Sequence, residues 1–189
     1  MATTTTSPQT PAQSTVTWKL DPAHSSAEFK VKHMMISNVK GTFSGLSGIL
    51  IEDTADPTRS GVEASVDIGT INTGDPQRDA HLKSADFFHH EQHPTMTFKS
   101  TKVEKKGEGD YAVTGDVTIH GISRQVTFAV DGPTAPAKDP WGNTRIGLSA
   151  TTKINRKDFG LSWNAALETG GFLVGEEVHI TLEAQFIKA

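Results

Sequence analysis

The sequence predicts an all-β domain: an eight-stranded antiparallel barrel with a short helix near one end. Three observations point there. The chain carries 24 Thr, 12 Val and 11 Ile against 9 Leu, and β-branched residues suit a pleated, half-buried surface better than a helix. From Thr17 onward, apolar and polar residues alternate in segments separated by Gly, Pro, Asn and Asp, which is the pattern of strands with one dry and one wet face. Several segments reach about ten residues, or about 33 Å if extended, which is long for a sandwich. Eight such strands in succession close naturally into an up-and-down barrel, a size that holds one small ligand or a filled core. At 189 residues the chain has room for one such domain and too little for two.

Taken in order, residues 1–15 are small, polar and Pro-bearing, which predicts a flexible tail ahead of a barrel domain over 16–189. The tail has neither a basic start nor an apolar core, so a secretory leader is not expected. A cytoplasmic protein follows, or a periplasmic one if a leader has been removed. Thr17–Leu20 reads as a brief strand. Ala27, Phe29, Val31 and His33 then share a dry face opposite Glu28, Lys30 and Lys32. A Gly-rich strand is expected over Thr42–Ile51, and the next has Val62, Ala64, Val66 and Ile68 on one face. Met96 and Phe98 mark a fourth. A charged hairpin tip at Lys105–Asp110 leads to Tyr111, Val113, Val117 and Ile119. Val126, Phe128 and Val130 follow, then Ile146, Leu148, Ala150 and Ile154. The eighth strand has Val178, Ile180, Leu182, Ala184 and Phe186 on its dry face. Between the third and fourth, Asp75 is a good N-cap, Pro76 suits the first helical turn and Pro94 lies beyond the far end. Ala80, Leu82, Ala85, Phe87 and Phe88 would lay that short helix over an apolar opening. Arg156–Leu161 is placed to form another turn.

Composition excludes several functions. A net charge of −4 with 21% charged residues gives no basic footprint for nucleic acid. The absence of cysteine removes disulfides, thiolate catalysis, iron–sulfur clusters and Cys-based zinc sites. No stretch approaches the roughly 20 apolar residues of a membrane-spanning helix.

A set of ordered motifs carries a resemblance. The run W-K-L-D-P-A-H-S-S-A-E-F-K-V-K-H-M-M-I-S-N-V-K-G-T-F spans Trp18–Phe43. R-D-A-H-L-K-S-A-D-F-F (Arg78–Phe88) and H-P-T-M-T-F-K-S (His93–Ser100) follow. G-D-V-T-I-H-G (Gly115–Gly121), I-N-R-K-D-F-G-L-S-W (Ile154–Trp163) and V-G-E-E-V-H-I (Val174–Ile180) complete the series. Together they resemble the YceI-like family, the polyisoprenoid-binding, lipocalin-like proteins, over nearly all of Thr17–Phe186. The resemblance implies a lipocalin-like barrel whose apolar channel takes a polyisoprenoid, an isoprenoid quinone or a fatty-acid-like amphiphile, as carrier, store or sequestering protein. It brings no catalytic activity and no cofactor. The expected partner is that lipid, without nucleic acid or stable membrane insertion, and a homodimer is allowed. Many members carry a periplasmic leader, from which this sequence departs.

The expected ligand-binding residues are Phe29, Val31, His33, Phe43, Phe87, Phe88, Met96, Phe98, Ile119, Phe128, Phe159, Leu161 and Trp163. For each, ordinary core packing is the competing account, and periodicity alone does not separate a filled core from a cavity. His33 is open between anchoring a ligand headgroup and bonding to the barrel wall or rim, whereas His24 reads as bonded to the wall or rim. Gly41, Gly45, Gly48, Gly115, Gly121 and Gly147 would curve the wall and leave axial room. The cluster His89–His93 lacks the H-E-x-x-H spacing of zinc proteases, and Pro94 disfavours a helix there; a surface loop and no functional metal are expected. Arg156 and Asp158 would pair to hold a turn. An enzyme using His and Asp at the channel mouth, and a filled barrel with no ligand, remain the alternatives.

Overall fold

The computed structural model describes residues 14–189; the expected tail lies, over residues 1–13, outside the described residues. Eleven strands form: β1 Thr15–Leu20, β2 Ser26–His33, β3 Ser37–Phe43, β4 Leu46–Asp53, β5 Gly61–Asp67 and β6 Thr95–Lys105. The rest are β7 Asp110–Ile119, β8 Ile122–Asp131, β9 Ala137–Lys138, β10 Thr144–Asn155 and β11 Val174–Lys188. Among the described residues one α-helix, α1, covers Pro76–Lys83, and the other helical segments are short 3-10 turns.

All described pairings are antiparallel, and β11 closes the sheet. One of its edges pairs with β10 from Glu177 to Ile187. Along the other, β2 occupies Val174 to Glu183 and β1 takes over at Phe186–Lys188. The ring β1–β4–β5–β6–β7–β8–β10–β11 is therefore a closed eight-stranded barrel, with β2, β3 and β9 added to it. Beyond β3 a single bridge, Thr42 to Asn72, ties the hairpin to the segment before α1.

Several elements differ from the sequence expectation. The strand over Ala27–His33, the first of the eight expected in the barrel, is β2, which shares an edge of β11 with β1 and lies outside the ring. The brief strand at Thr17–Leu20 is a full barrel member. Its Trp18 is buried, and the indole Nε1 donates to Glu52 Oε2 at 2.8 Å. The single strand expected over Thr42–Ile51 is two strands, β3 and β4, interrupted at Ser44–Gly45. Gly45 explains the break: its amide donates to Thr70 Oγ1 and its carbonyl accepts from the Asp67 amide. A Cβ there would lie 2.8 Å from both Asp67 Cβ and Thr70 Cγ2. The chain leaves the ladder to pack against the end of β5.

Helix α1 starts as its sequence dictates. Asp75 Oδ1 accepts from the amides of Gln77 and Arg78, and Pro76 occupies the first turn. The helix stops at Lys83, earlier than the run to Phe88 suggested. Ser84 caps it, its amide and hydroxyl both donating to the His81 carbonyl. Ala85–Phe88 then turn back under the helix, with the Phe88 amide donating to the Leu82 carbonyl at 3.0 Å.

The apolar interior gathers in two clusters. One surrounds Trp18, Leu20, Phe43, Leu46 and Phe186, and the other Val117, Ile119, Phe128, Phe159 and Leu161. Phe88, Met96, Leu148 and Leu182 touch both.

Candidate ligand cavity

A cavity of about 550 Å³ lies between those clusters and runs the length of the barrel. Leu82, Phe87, Phe88 and Leu161 bound one end; Pro57, Gly109, Tyr111 and Pro133 bound the other. The volume falls in the range of roughly 300–1,000 Å³ typical of small-molecule sites. Inward-facing Phe29, Met96, Phe98, Leu148, Ile180 and Leu182 are only half-buried, although a filled barrel would bury them completely.

Aromatic rings furnish much of the wall. Phe98 meets Phe128 edge-on with centroids 5.2 Å apart, and Phe43 meets Phe88 in the same way at 6.1 Å. Two glycines give rings room to lie along the wall. The Phe29 ring covers Gly41, its cross-strand partner, and the Phe98 ring covers Gly115. A Cβ at Gly41 would collide with Phe29; at Gly115 it would also meet the Lys99 carbonyl. Any side chain at these positions pushes the ring toward the axis, which is how Gly in a strand serves close approach.

Ten of the thirteen residues expected to bind ligand line this cavity: Phe29, Val31, Phe43, Phe87, Phe88, Met96, Phe98, Ile119, Phe128 and Leu161. Three lie off it. His33 ends β2, opposite Ser37 and Val174. Phe159 is 2% exposed and packs behind the wall with Val117, Phe128 and Leu161. Trp163 backs the closing segment from outside, 5.2 Å from Phe87 and 4.7 Å from His81 by ring centroids. The wall also includes Leu20, Leu50, Ala64, Leu148, Val178 and Ile180, which the period-2 pattern would have supplied had it been extended to every dry position. Pro57, Gly109 and Pro133 come from turns and carry no such signal.

Charge touches the cavity at Glu52 and Arg156. The expected Arg156–Asp158 pair does not form. Arg156 is 4% exposed, and its guanidinium donates instead to the carbonyls of Leu161, Trp163, Val174 and Gly175. Burial lowers its pKa, and Glu176 opposes that shift. Two residues bound in a tight turn point their carboxylate and guanidinium apart, and four carbonyls converge where the cation lies.

His89 and His93 do form a turn beyond α1, and the fold adds His120 from the β7–β8 turn. The His93 and His120 rings are 4.9 Å apart. His120 Nδ1 is buried without a hydrogen-bond partner, and its pKa is lowered by burial first and by His93 next. Among the described residues no group of three or more His, Cys, Asp or Glu side chains is arranged to hold a metal ion. His81 and Asp86 are 2.9 Å apart but lie outside the cavity lining, and the nearby Ser84 hydroxyl donates to the His81 carbonyl rather than to its imidazole.

At the rim, His24 Nδ1 is 2.8 Å from Asp21 Oδ2. Arg145 joins that carboxylate at 2.6 Å and Asp139 at 2.7 Å, fastening the end of β1 to the β9–β10 hairpin. Arg145 first, and His24 next, hold Asp21 down at about 2. Arg145 and Asn143 hold Asp139 lower still. Both folded pKa values are depressed, so the stabilisation is complete above the ordinary carboxylate pKa near 4 and is lost as pH falls through about 2. Arg145→Met should move the acid-unfolding midpoint upward, towards pH 4. Unfolding followed by tryptophan fluorescence checks this; an unchanged midpoint would show that the network adds nothing.

A YceI-like domain profile matches residues 18–186. The chain belongs to the YceI-like family. A UPF0312 protein of Staphylococcus aureus is 37% identical over 167 residues, which is 88% of this chain and 94% of that protein. The solved YCEI protein of Campylobacter jejuni shares 31% identity at a TM-score of 0.70, covering 85% of this YceI-like chain and 91% of that one. Burkholderia cenocepacia BcnA has the same fold, with a TM-score of 0.74 at 23% identity and coverage of 88% and 98%. So does a polyisoprenoid binding domain from Saccharophagus degradans, with a TM-score of 0.66 at 16% identity and coverage of 92% and 99%.

Proposed function

We propose that this YceI-like barrel binds one long-chain apolar lipid lengthwise, as a carrier, store or sequestering protein rather than as an enzyme. The observation that carries the reading is the continuous cavity of about 550 Å³ whose wall is mostly aromatic and aliphatic. Eight strands of about ten residues, tilted by roughly 40°, give an axial length near 25 Å, suited to a chain and not to a compact ligand. Each methylene transferred from water into that wall contributes about 0.8 kcal/mol before ordering costs, so tight binding needs no charged contact. A polyisoprenoid, an isoprenoid quinone and a fatty-acid-like amphiphile all meet this description. The structural likeness to a polyisoprenoid binding domain agrees with it.

Organic extraction of the purified protein followed by mass spectrometry tests the proposal directly. A prenyl or long acyl compound near one per chain is expected. A displacement titration with prenols and fatty acids of increasing length should show affinity rising with length until the channel is full, with little salt dependence. No bound lipid together with affinities that do not vary with length would leave a barrel without a lipid ligand.

A further inference from the structure

The hairpin joining β2 and β3 turns through Met34, Met35 and Ile36, which are 40%, 70% and 80% exposed. Neither methionine is in a relaxed backbone conformation: their φ angles are +51° and +59°, a region that L residues enter at a cost. The Met34 amide donates to the Leu173 carbonyl at 2.7 Å, which ties this tip to a second loop where Phe172 is 57% exposed. Two loops thus present large apolar side chains at one rim of the barrel. Large exposed apolar groups held together in this way mark an interaction surface.

Behind the tip the outer face is basic. Strand register sets Lys40 opposite Lys30, Lys30 opposite His179 and His179 opposite Lys153, a row across four strands. Glu177 serves Lys153 and His179, at 3.3 and 2.9 Å. Among the described residues, Lys30, Lys32 and Lys40 have no ion-pair partner, and Glu28 is the acid that shares their face of β2. Like charges placed directly opposite in a sheet destabilise it; a dense layer of anions would relieve them.

We infer that the Met34–Ile36 tip and Phe172 dock on an anionic lipid bilayer, with Lys30, Lys32 and Lys40 meeting the headgroups. Apolar side chains inserted to the headgroup boundary, with lysines set behind them, are how surface-seeking segments bind such membranes. Each lysine near an anionic surface strengthens partitioning by about fivefold. The site is also well placed: Val31 and Val174, immediately behind the two loops, line the cavity. This inference rests on the lipid-binding proposal for its purpose, since a carried lipid must be exchanged with a membrane, but its test is independent.

The full chain is sedimented with vesicles of phosphatidylcholine alone and of phosphatidylcholine with phosphatidylglycerol. Binding to the anionic vesicles is expected, weakening as salt is raised. The double variant Met35→Asp, Ile36→Asp should bind at least tenfold more weakly, and Lys30→Glu with Lys40→Glu should abolish the anionic preference. Both variants touch only outward side chains, so their prenol displacement curves should match the parent and report an intact barrel. Failure of the parent to sediment with anionic vesicles, or variants that sediment equally well, would overturn the docking surface. A dimer in sedimentation velocity that the Met35→Asp, Ile36→Asp variant loses would assign the face to a second copy instead. Retained prenol affinity in either case leaves the cavity proposal standing.

Discussion

Ala64→Trp should weaken binding of long chains about a hundredfold while sparing short ones. Ala64 faces the cavity from mid-β5, between Gly48 and Phe98 on its neighbouring strands. The larger indole takes up space that Ala64 leaves open beside the Phe98 ring and narrows the channel at mid-strand. A ligand confined to one side loses the methylenes that lay beyond. Excluding four of them costs about 3 kcal/mol, or roughly two orders of magnitude in affinity. Short prenols and short fatty acids that occupy one half should bind within a few fold of the parent. The companion variant Phe98→Asp acts differently. It sets a carboxylate without a partner in an apolar wall, so chains of every length should bind more weakly. Displacement titrations across chain length, with thermal unfolding as a control for the fold, separate the two. Long-chain affinity unchanged in Ala64→Trp would mean that ligand does not pass the middle of the barrel.

Arg156→Met should be the most destabilising single change at the site. The Arg156 guanidinium ties the turn after β10 to the loop around Trp163 and to the start of β11 through four backbone carbonyls. Replacing it takes this donor from the carbonyls of Leu161, Trp163 and Gly175, while Val174 keeps its bond from Asn164 Nδ2, and much of the side-chain volume stays. Hydrogen bonds to a charged group contribute about 1.5–3 kcal/mol each, but such losses are not additive, and a total of about 3–5 kcal/mol is expected. That is a large share of the 5–15 kcal/mol typical of a domain. Lysine has a single ammonium in place of the fork, so Arg156→Lys should fall between the two. Urea unfolding followed by tryptophan fluorescence measures the change. A loss below about 1 kcal/mol for Arg156→Met would show that the carbonyls find other partners.

Local residue patterns account for much of this protein. Period-2 alternation locates the barrel strands because a strand with one face toward an apolar interior must alternate. Asp75 and Pro76 locate the start of α1 because capping and the first helical turn are local. The same alternation puts Phe29, Val31, Phe98, Ile119 and Phe128 on inward faces, so most of the cavity wall is legible in the sequence. The rest depends on contacts between segments far apart in the chain. The split at Gly45 needs Thr70 and Asp67, which approach it from beyond another strand. Trp163 and Phe159 share the apolar character of the wall residues, yet one backs Phe87 from outside and the other packs behind the wall. Nothing in their local pattern records depth. Arg156 bonds to the carbonyls of Leu161 and Trp163 in the following loop and of Val174 and Gly175 at the start of β11 rather than to Asp158, because the nearest carboxylate along the chain is not the nearest acceptor in space. Above all, alternation states which side of a strand avoids water, not whether the space it faces is filled. That depends on how closely the walls approach, and Gly41 and Gly115 let two aromatic rings lie back against the wall and keep the axis open.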